Sequence, residues 1–415
     1  MPGTELTRTH FESLDMEDAL AGFRAEFSLP QKLIYLDGNS LGAMPVRALE
    51  IATRTIQEEW GADLIQSWNK ANWFQLPTRL GEKVARLIGA DPGEVVVTDN
   101  VSTNLFKVLS AALTLRSERK VIVVEGSNFP TDNYITQGLV QLLDRGLDIR
   151  YVEKDGILDA IDSQVAVVSL SNVHYKTGHL LNMQDITARA HANGALTIWD
   201  LCHSAGAMPL ELNTCNADFA VGCTYKYLNG GPGSPAFVYC ARRHQKVAAQ
   251  PLSGWWGHAD PFAFEQDYRP GKGIKQMLSG TQPVVSLAML EAGLDIALKA
   301  DLNDVRKKSM VLGDWFINLL EARCSSHNFV LQSPRSAEKR GSQVSFSHLQ
   351  GHAIMQALIA KGVLGDFRAP DTLRFGFTPL YTRFVDVWDA VEVLRGVMES
   401  GEWQRNVYQT RHPVT

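Results

Sequence analysis

Short apolar runs alternate with stretches of helical periodicity over the middle of the chain, from residue 95 to residue 240. Apolar runs of about four to eight residues are typical of buried strands, and an apolar residue at every third or fourth position is typical of a helix packed on a sheet. The pattern predicts strands at residues 95–98, 121–124, 195–200 and 218–223, and helices at residues 101–113, 132–145 and 182–193. Because strands separated by helices usually pair in parallel, we expect a mostly parallel sheet covered by helices.

The pattern changes after residue 286. Helices are predicted there at residues 287–300, 305–323, 352–360 and 385–397, and strands at residues 343–346 and 373–375. Such a mixture is typical of an α+β lobe. We therefore expect an N-terminal segment (1–60) that packs with the small lobe, a large domain (61–283) and a small C-terminal α+β domain (284–415). Residues 251–283, rich in glycine and proline, are expected to form a long functional loop.

Composition is typical of a soluble globular enzyme. The 415 residues are 45% hydrophobic and 20% charged, with a net charge of −5, so a basic surface for nucleic acid is not expected. No run of about 18 apolar residues predicts a membrane span, and residues 1–10 do not resemble a signal peptide, so a cytoplasmic location is expected. The five cysteines include no C-x-x-C pair. This favours buried thiols in a reducing compartment, and no metal site is expected.

Lys226 is the most informative single residue. It follows the apolar run 218–223 and precedes the glycine-rich run 228–234. Open α/β sheets bind ligands at the carboxyl ends of their strands, and a lysine there can bond reversibly to an aldehyde cofactor such as pyridoxal phosphate. A lysine at a strand end is more often a solvated charge. The interpretation of Lys226 therefore depends on the residues around it.

Asp200 provides the second part of the pattern, because it ends the predicted strand 195–200 and His203 follows it. A carboxylate beside the pyridine nitrogen of pyridoxal phosphate keeps that nitrogen protonated, so that the ring can withdraw electrons from the substrate. Asp200 could also be an ordinary strand-terminal cap, and His203 a structural histidine. However, Asp200 and Lys226 each end an apolar strand, as expected if two neighbouring strands face one cofactor.

A phosphate site is predicted where the strand at 95–98 leads into the helix at 101–113. Ser102 or Thr103 is expected to be the N-cap of that helix. Backbone N–H groups and the positive end of the helix dipole bind phosphate at such a position.

The loop after the strand at 121–124 carries Phe129 and Asp132. Phe129 could stack on the pyridine ring and exclude water from it. Alternatively, Pro130 and Asp132 only end the strand, and Phe129 covers the core.

Together these segments resemble the fold-type I enzymes that use pyridoxal phosphate, and within them the kynureninase family. The resemblance covers most of the chain and rests on residues 35–42, 128–132, 199–206, 225–231, 254–258, 340–342 and 374–381. It implies a seven-stranded, mostly parallel sheet with a smaller α+β lobe, a homodimer, and hydrolysis of L-kynurenine or its 3-hydroxy form to alanine and anthranilate or 3-hydroxyanthranilate. Thr281, where animal members have Asn, indicates the bacterial branch.

The same resemblance implies roles for individual residues. Lys226 would bind the cofactor covalently, Asp200 would contact the pyridine nitrogen, and Arg374 would bind the substrate α-carboxylate. Tyr225 or Lys226 would be the acid that protonates Cβ. The implied cofactor contacts are Val101, Ser102, Tyr225 and Trp255 at the phosphate, Phe129, Pro130, Thr131 and Asp132 at the ring, and Asn172, His203 and Thr281, the last from the partner subunit. Trp68, Trp255, Trp256 and His258 are candidates for an aromatic pocket around the substrate ring.

Three alternatives remain open at the level of sequence. A cysteine desulfurase or selenocysteine lyase would need a reactive cysteine in the loop 335–342, which has none, and Cys324 is expected in a helix. An aminotransferase would need a pocket for a keto acid. A cofactor-binding regulator without turnover would not need Lys226, Asp200, Tyr225 and Arg374 together.

Overall fold

The computed structural model of the protein describes residues 6–410, so residues 1–5 and 411–415 of the predicted first and last domains lie outside the described range. The strands are β1 (Phe27–Ser28), β2 (Ile34–Tyr35), β3 (Met44–Pro45), β4 (Val95–Val97), β5 (Val121–Glu125), β6 (Asp148–Val152), β7 (Val165–Ser171), β8 (Leu196–Asp200), β9 (Phe219–Gly222), β10 (Phe237–Cys240), β11 (Val330–Leu331), β12 (Gln343–Ser347), β13 (Val363–Leu364), β14 (Asp366–Arg368) and β15 (Thr372–Gly376). The α-helices are α1 (Arg8–Met16), α2 (Val46–Arg54), α3 (Ser67–Lys70), α4 (Leu76–Ile88), α5 (Val101–Leu115), α6 (Pro130–Leu143), α7 (Met183–Ala192), α8 (Val284–Lys299), α9 (Leu302–Arg323), α10 (Gly351–Ala360) and α11 (Phe384–Ser400).

The larger lobe is built on a seven-stranded sheet in the order β4-β10-β9-β8-β7-β5-β6. The five strands from β9 to β6 run parallel, and β10 is antiparallel to both of its neighbours. Every residue of β5, β7, β8 and β9 is buried, because helices cover the sheet and the strands are therefore apolar throughout. The predicted mostly parallel sheet is confirmed.

The smaller lobe contains the antiparallel sheet β11-β12-β15-β14. Its apolar core includes residues of α9, α10 and α11 and also Phe11 and Leu36 from the N-terminal segment. The same segment adds β2 alongside β13 in parallel, and Arg8 of α1 binds Asp389 of α11.

Helices α2 and α8 lie near the predicted domain boundaries, and both pack into the core of the larger lobe. Ala48 and Ile51 of α2 and Leu287, Leu290 and Leu294 of α8 belong to the core of the larger lobe. The described packing thus places α8 with the large lobe, and the predicted boundaries at residues 60 and 283 stay a prediction.

The predicted long loop is present between residues 251 and 283. It contains two short 3₁₀ turns, Trp255–Gly257 and Gly273–Met277, and no α-helix or strand. Within residues 6–410, no helix combines the length and apolar character needed to cross a membrane.

Candidate active site

A cavity of about 170 Å³ lies at the carboxyl edge of the large sheet, where β7, β8 and β9 end. Nine residues singled out by the sequence line it: Val101, Ser102, Phe129, Thr131, Asp132, Asp200, His203, Tyr225 and Lys226. Because parallel strands present their carboxyl ends at one edge, residues far apart in the chain meet there.

The loop that carries Lys226 is fixed from two directions. The Thr224 hydroxyl donates to the carbonyl oxygen of Pro235 at 2.6 Å, which closes the glycine-rich run onto the strand end. On the other side, Gly42 N–H donates to the carbonyl oxygen of Tyr225 at 2.7 Å. A Cβ atom at Gly42 would lie 2.2 Å from the carbonyl oxygen of Lys226, so only glycine allows this approach.

Lys226 and His203 are in direct contact, with 2.9 Å between Lys226 Nζ and His203 Nε2. The other ring nitrogen of His203, Nδ1, lies 3.1 Å from Oε1 of Gln343 in the smaller lobe. Burial, and then the charges of Lys226 and Arg374, lower the pKa of His203 well below its ordinary value. His203 is therefore neutral at physiological pH, and its Nε2 lies within hydrogen-bonding distance of Lys226 Nζ.

Asp132 and Asp200 form a pair of buried carboxylates beside Lys226. Burial, and then the neighbouring charge of Asp200, raise the pKa of Asp132 well above its ordinary value. Asp200 Oδ1 accepts from the Cys202 N–H at 2.6 Å, and Asp132 Oδ2 accepts from Asn128 Nδ2 at 3.0 Å. Asp132 Oδ1 is buried and has no hydrogen-bond partner. A pyridinium N–H would satisfy this acidic pair, so these residues fit the ring of pyridoxal phosphate.

The N-terminus of α5 opens onto the same cavity through Val101 and Ser102. The prediction that Ser102 or Thr103 caps this helix is wrong. The N-cap is Asn100, whose side-chain oxygen accepts from the Thr103 N–H at 3.0 Å. The earlier start leaves Val101 and Ser102 in the first turn, where free N–H groups and the helix dipole favour a phosphate.

Phe129 lies at the cavity edge and is 45% exposed. Its ring meets that of Tyr175 edge to face, with 5.2 Å between centroids. Phe129 therefore does not cover the apolar core, and a face of its ring is available to a planar ligand.

Tyr225 keeps its phenolic proton at physiological pH. Burial, and then the neighbouring Cys223 and Cys202, raise its pKa well above the ordinary value. Tyr225 can therefore donate a hydrogen bond within the cavity.

Arg374 is buried in β15, and its side chain does not line the cavity. Its guanidinium binds both oxygens of Asp366, with 2.6 Å between Nε and Oδ1, and donates to the Tyr175 carbonyl oxygen and to Ser40 Oγ. Four of the five N–H groups of a guanidinium are thus engaged. Arg374 contacts Tyr175, which lines the cavity, but Arg374 itself does not reach the cavity.

Four further predicted residues are not among those that line the cavity: Pro130, Asn172, Trp255 and Thr281. Pro130 begins α6, and Asn172 Nδ2 donates to the carbonyl oxygen of Leu181 at 3.3 Å. Trp255 Nε1 lies 3.3 Å from Thr281 Oγ1. The cofactor contacts of these residues stay predictions.

The candidate aromatic pocket is a compact cluster in the larger lobe. Trp68 packs against Trp255 and Trp256, with 5.8 and 5.2 Å between ring centroids. Neither these three rings nor His258 line the cavity at Lys226, so their contact with a substrate ring stays a prediction.

Some lining residues were missed from the sequence, among them Ser171 and Tyr175. Ser171 ends β7 at the same sheet edge as Asp200, and strand order could have pointed to it. Tyr175 lies in a hairpin whose path depends on contacts with the smaller lobe, and no local signal indicates that path.

Known proteins with similar sequences align with almost the whole of this chain. It is 53% identical over 414 residues to a kynureninase of Pseudomonas fluorescens, which covers 99% of this chain and 100% of the relative. It is 52% identical, with the same coverage, to a kynureninase of Burkholderia pseudomallei. The family model described as the kynureninase C-terminal domain matches residues 305–394.

Solved structures with a similar fold are more distant in sequence. The cysteine desulfurase CsdA of Escherichia coli aligns with a TM-score of 0.76 and 19% identity, over 92% of this chain and 98% of the other. The cystine lyase C-DES, in a variant with glycine linked to its pyridoxal phosphate, aligns with a TM-score of 0.76 and 18% identity, over 94% and 99%. These likenesses show the fold, which is that of fold-type I enzymes.

Cys324, the thiol considered for a desulfurase, gives that alternative no support. Cys324 follows the end of α9 and is buried, and burial raises its pKa to about 11. A buried thiol with a raised pKa is a poor nucleophile.

Sequence identity over the full length and the residues gathered at Lys226 lead to one conclusion: the chain belongs to the kynureninase family.

Proposed function

We propose that the cavity at Lys226 binds pyridoxal phosphate and hydrolyses L-kynurenine to anthranilate and L-alanine. The observation that carries the proposal is the contact between Lys226 and His203 beside the Asp132–Asp200 pair, in a chain 53% identical to a kynureninase. A lysine, an acidic pair and a helix N-terminus in one cavity match the amine-reactive, ring and phosphate parts of this cofactor.

In this proposal each part of the cofactor has its own residues. Lys226 holds the cofactor covalently, and Asp200, supported by Asp132, holds the ring nitrogen. Val101 and Ser102 at the start of α5 bind the phosphate, and Phe129 covers one face of the ring.

The reaction needs groups that move protons at defined atoms. Bound pyridoxal phosphate withdraws electrons from the carbon next to the substrate amine. With substrate bound, the free amine of Lys226 would accept the Cα proton. A water molecule adds to the γ-ketone, the Cβ–Cγ bond breaks, and anthranilate leaves. Tyr225 or Lys226 would then protonate Cβ, and return of a proton to Cα would give alanine.

The substrate class is tested by a parallel assay of the pure holoprotein with L-kynurenine, 3-hydroxy-L-kynurenine and L-cysteine. We expect anthranilate and alanine in equal amounts from L-kynurenine and no sulfide from cysteine. The ratio of kcat/KM for the two kynurenines gives the ring preference. Sulfide without anthranilate would contradict the proposal and favour a desulfurase.

Arg374 is proposed to bind the substrate α-carboxylate through the one N–H group that its partners leave free. Replacing Arg374 by Ala should raise KM for L-kynurenine by about 100-fold, because a charge-assisted hydrogen bond to the substrate is lost and buried Asp366 keeps only Arg368 and Ser40 as partners. Arg374→Lys should recover little, since lysine lacks the planar fork.

The control for this loss is Ser40→Ala. It removes one bond to Arg374 but keeps the guanidinium, and it should change KM by less than about threefold. An Arg374→Ala protein with unchanged kcat/KM would rule out the carboxylate role.

We further propose that the protein is a homodimer in which Trp255 and Thr281 complete the cofactor site of the partner subunit. The two side chains are hydrogen-bonded to each other, away from the cavity of their own chain. Nearby apolar side chains are also exposed, among them Phe262 and Phe264 at 65% and 85%. Exposed apolar clusters of this kind are typical of interfaces.

Mixing two inactive variants tests this arrangement. Lys226→Ala lacks the lysine, and the double variant Trp255→Ala/Thr281→Ala lacks the other contacts. If these contacts act across the interface, a hybrid dimer has one intact site, and a random equal mixture should regain about a quarter of the wild-type activity. Activity no higher than that of the unmixed variants, or sedimentation as a monomer, would overturn the proposal.

A further inference from the structure

Gln343 connects the smaller lobe to His203, which lines the Lys226 cavity. It begins β12, is 1% exposed, and lies 140 positions from His203 in the chain. Its amide contacts three groups: His203 Nδ1 at 3.1 Å and the carbonyl oxygens of Tyr175 and His174 at 2.8 and 3.4 Å. These contacts determine the orientation of the Gln343 amide, and the orientation of the amide determines the tautomer of His203.

The two carbonyl oxygens settle which end of the Gln343 amide faces which partner. Backbone carbonyls can only accept hydrogen bonds, so the NH₂ group of Gln343 must point towards Tyr175 and His174. The amide oxygen therefore faces His203. An oxygen can only accept, so Nδ1 of His203 must carry a hydrogen.

The consequence appears on the other side of the imidazole ring. A neutral histidine with a hydrogen on Nδ1 has a lone pair on Nε2, and that lone pair points at Lys226 Nζ, 2.9 Å away. In the opposite tautomer, Nε2 would present its own hydrogen to Lys226 Nζ and could not accept a hydrogen bond from the lysine. The hydrogen bond from Lys226 to His203 thus depends on Gln343.

We propose that Gln343 is a positioning residue that holds His203 in the Nδ1–H tautomer, so that Nε2 accepts a hydrogen bond from Lys226 during the reaction. This inference rests on the proposed function, because it matters only if Lys226 transfers protons. Gln343 belongs to the smaller lobe. Nε2 of His203 is therefore held as an acceptor only while the smaller lobe is docked on the hairpin that carries Tyr175.

The charges around His203 agree with a neutral ring. Lys226 faces it from the loop after β9, Arg374 from β15 of the smaller lobe, and His174 from the hairpin after β7. Cations on two sides oppose protonation of Nε2. Gln343 supplies an acceptor at Nδ1 without a negative charge, and so it fixes the tautomer without favouring the imidazolium.

Two substitutions and one control separate this role from simple packing. Gln343→Met keeps the approximate volume of the side chain but cannot hydrogen-bond. Gln343→Glu keeps an acceptor for Nδ1 but adds a negative charge that favours the imidazolium. The control, Ser345→Ala, removes a 2.5 Å bond from the same strand to the carbonyl oxygen of Lys176 in the same hairpin and leaves His203 untouched.

For Gln343→Met we expect a kcat about tenfold lower with KM within about threefold, since the reacting groups are misaligned although substrate contacts remain. For Gln343→Glu we expect the acidic limb of the kcat profile to move up by about one pH unit, because His203 then protonates more easily. Ser345→Ala should keep the wild-type kcat and pH profile.

Nitrogen NMR of the full chain labelled with ¹⁵N-histidine provides a readout that is independent of activity. The His203 signals, assigned by their loss in His203→Gln, should show a protonated Nδ1 and an unprotonated Nε2 in the wild type and a mixture of tautomers in Gln343→Met. A protonated Nε2 in the wild type, or a Gln343→Met protein with wild-type kcat and pH profile, would overturn the inference. Absence of turnover in the wild type would instead refute the proposed function, while the tautomer could still be measured.

Discussion

Replacing Lys226 by Ala should lower kcat for L-kynurenine by about 10⁴-fold or more, because one side chain both anchors the cofactor and carries the Cα proton. Lys226→Arg should be equally inactive. Arginine keeps the positive charge near His203 and the acidic pair but cannot form the covalent bond or accept a proton. The initial rate of anthranilate fluorescence measures the loss.

Small primary amines offer a positive test of the same assignment. The cavity measures about 170 Å³, and removing the lysine side chain enlarges it. We expect methylamine to restore part of the rate in Lys226→Ala in proportion to its concentration, and to have no effect on Lys226→Arg. The exposed Lys246 provides the control, since Lys246→Ala should have wild-type kinetics. Wild-type activity in Lys226→Ala would refute the assignment.

Asp200→Asn should lower kcat by about 10²- to 10³-fold, the second-largest effect that we expect. Asparagine has nearly the same shape and can still accept from the Cys202 N–H, but it lacks the negative charge that keeps the pyridine nitrogen protonated. The loss should fall on kcat more than on KM, because the substrate carboxylate is bound elsewhere.

Two comparisons make the Asp200 result specific. Asp132→Asn should cost less than Asp200→Asn, because the remaining Asp200 still supplies a carboxylate to the ring. Asp159→Asn, at an exposed position, should have no effect. A loss of kcat no larger in Asp200→Asn than in Asp159→Asn would show that Asp200 does not act on the cofactor ring.

The residues that could be predicted from the sequence are those whose signal is local. Asp200 and Lys226 each end a buried strand, so their positions follow from apolar runs and from the rule that sites form at the carboxyl edge. Phe129 and Asp132 follow β5 in the same way. The seven-stranded sheet itself came from the family resemblance, whereas the parallel alternation was visible in the pattern.

Two kinds of feature were missed: the choice among neighbouring N-cap residues, and the contacts that each site residue makes with other side chains. Asn100, Ser102 and Thr103 are all good N-caps within one turn, and backbone geometry selects Asn100. Asp366 meets Arg374 through the register of β14 against β15 within the smaller lobe. The contact between His203 and Gln343 is set by how the smaller lobe docks on the larger one. No periodicity in the sequence indicates that docking.

The most direct test of the central claim is to identify the lysine that holds the cofactor. The holoprotein is reduced with borohydride, which makes the covalent link permanent, and the digested protein is then mapped by mass spectrometry. We expect the pyridoxyl group on Lys226. Its presence on another lysine, such as the buried Lys107, with Lys226 unmodified, would show that Lys226 does not hold the cofactor.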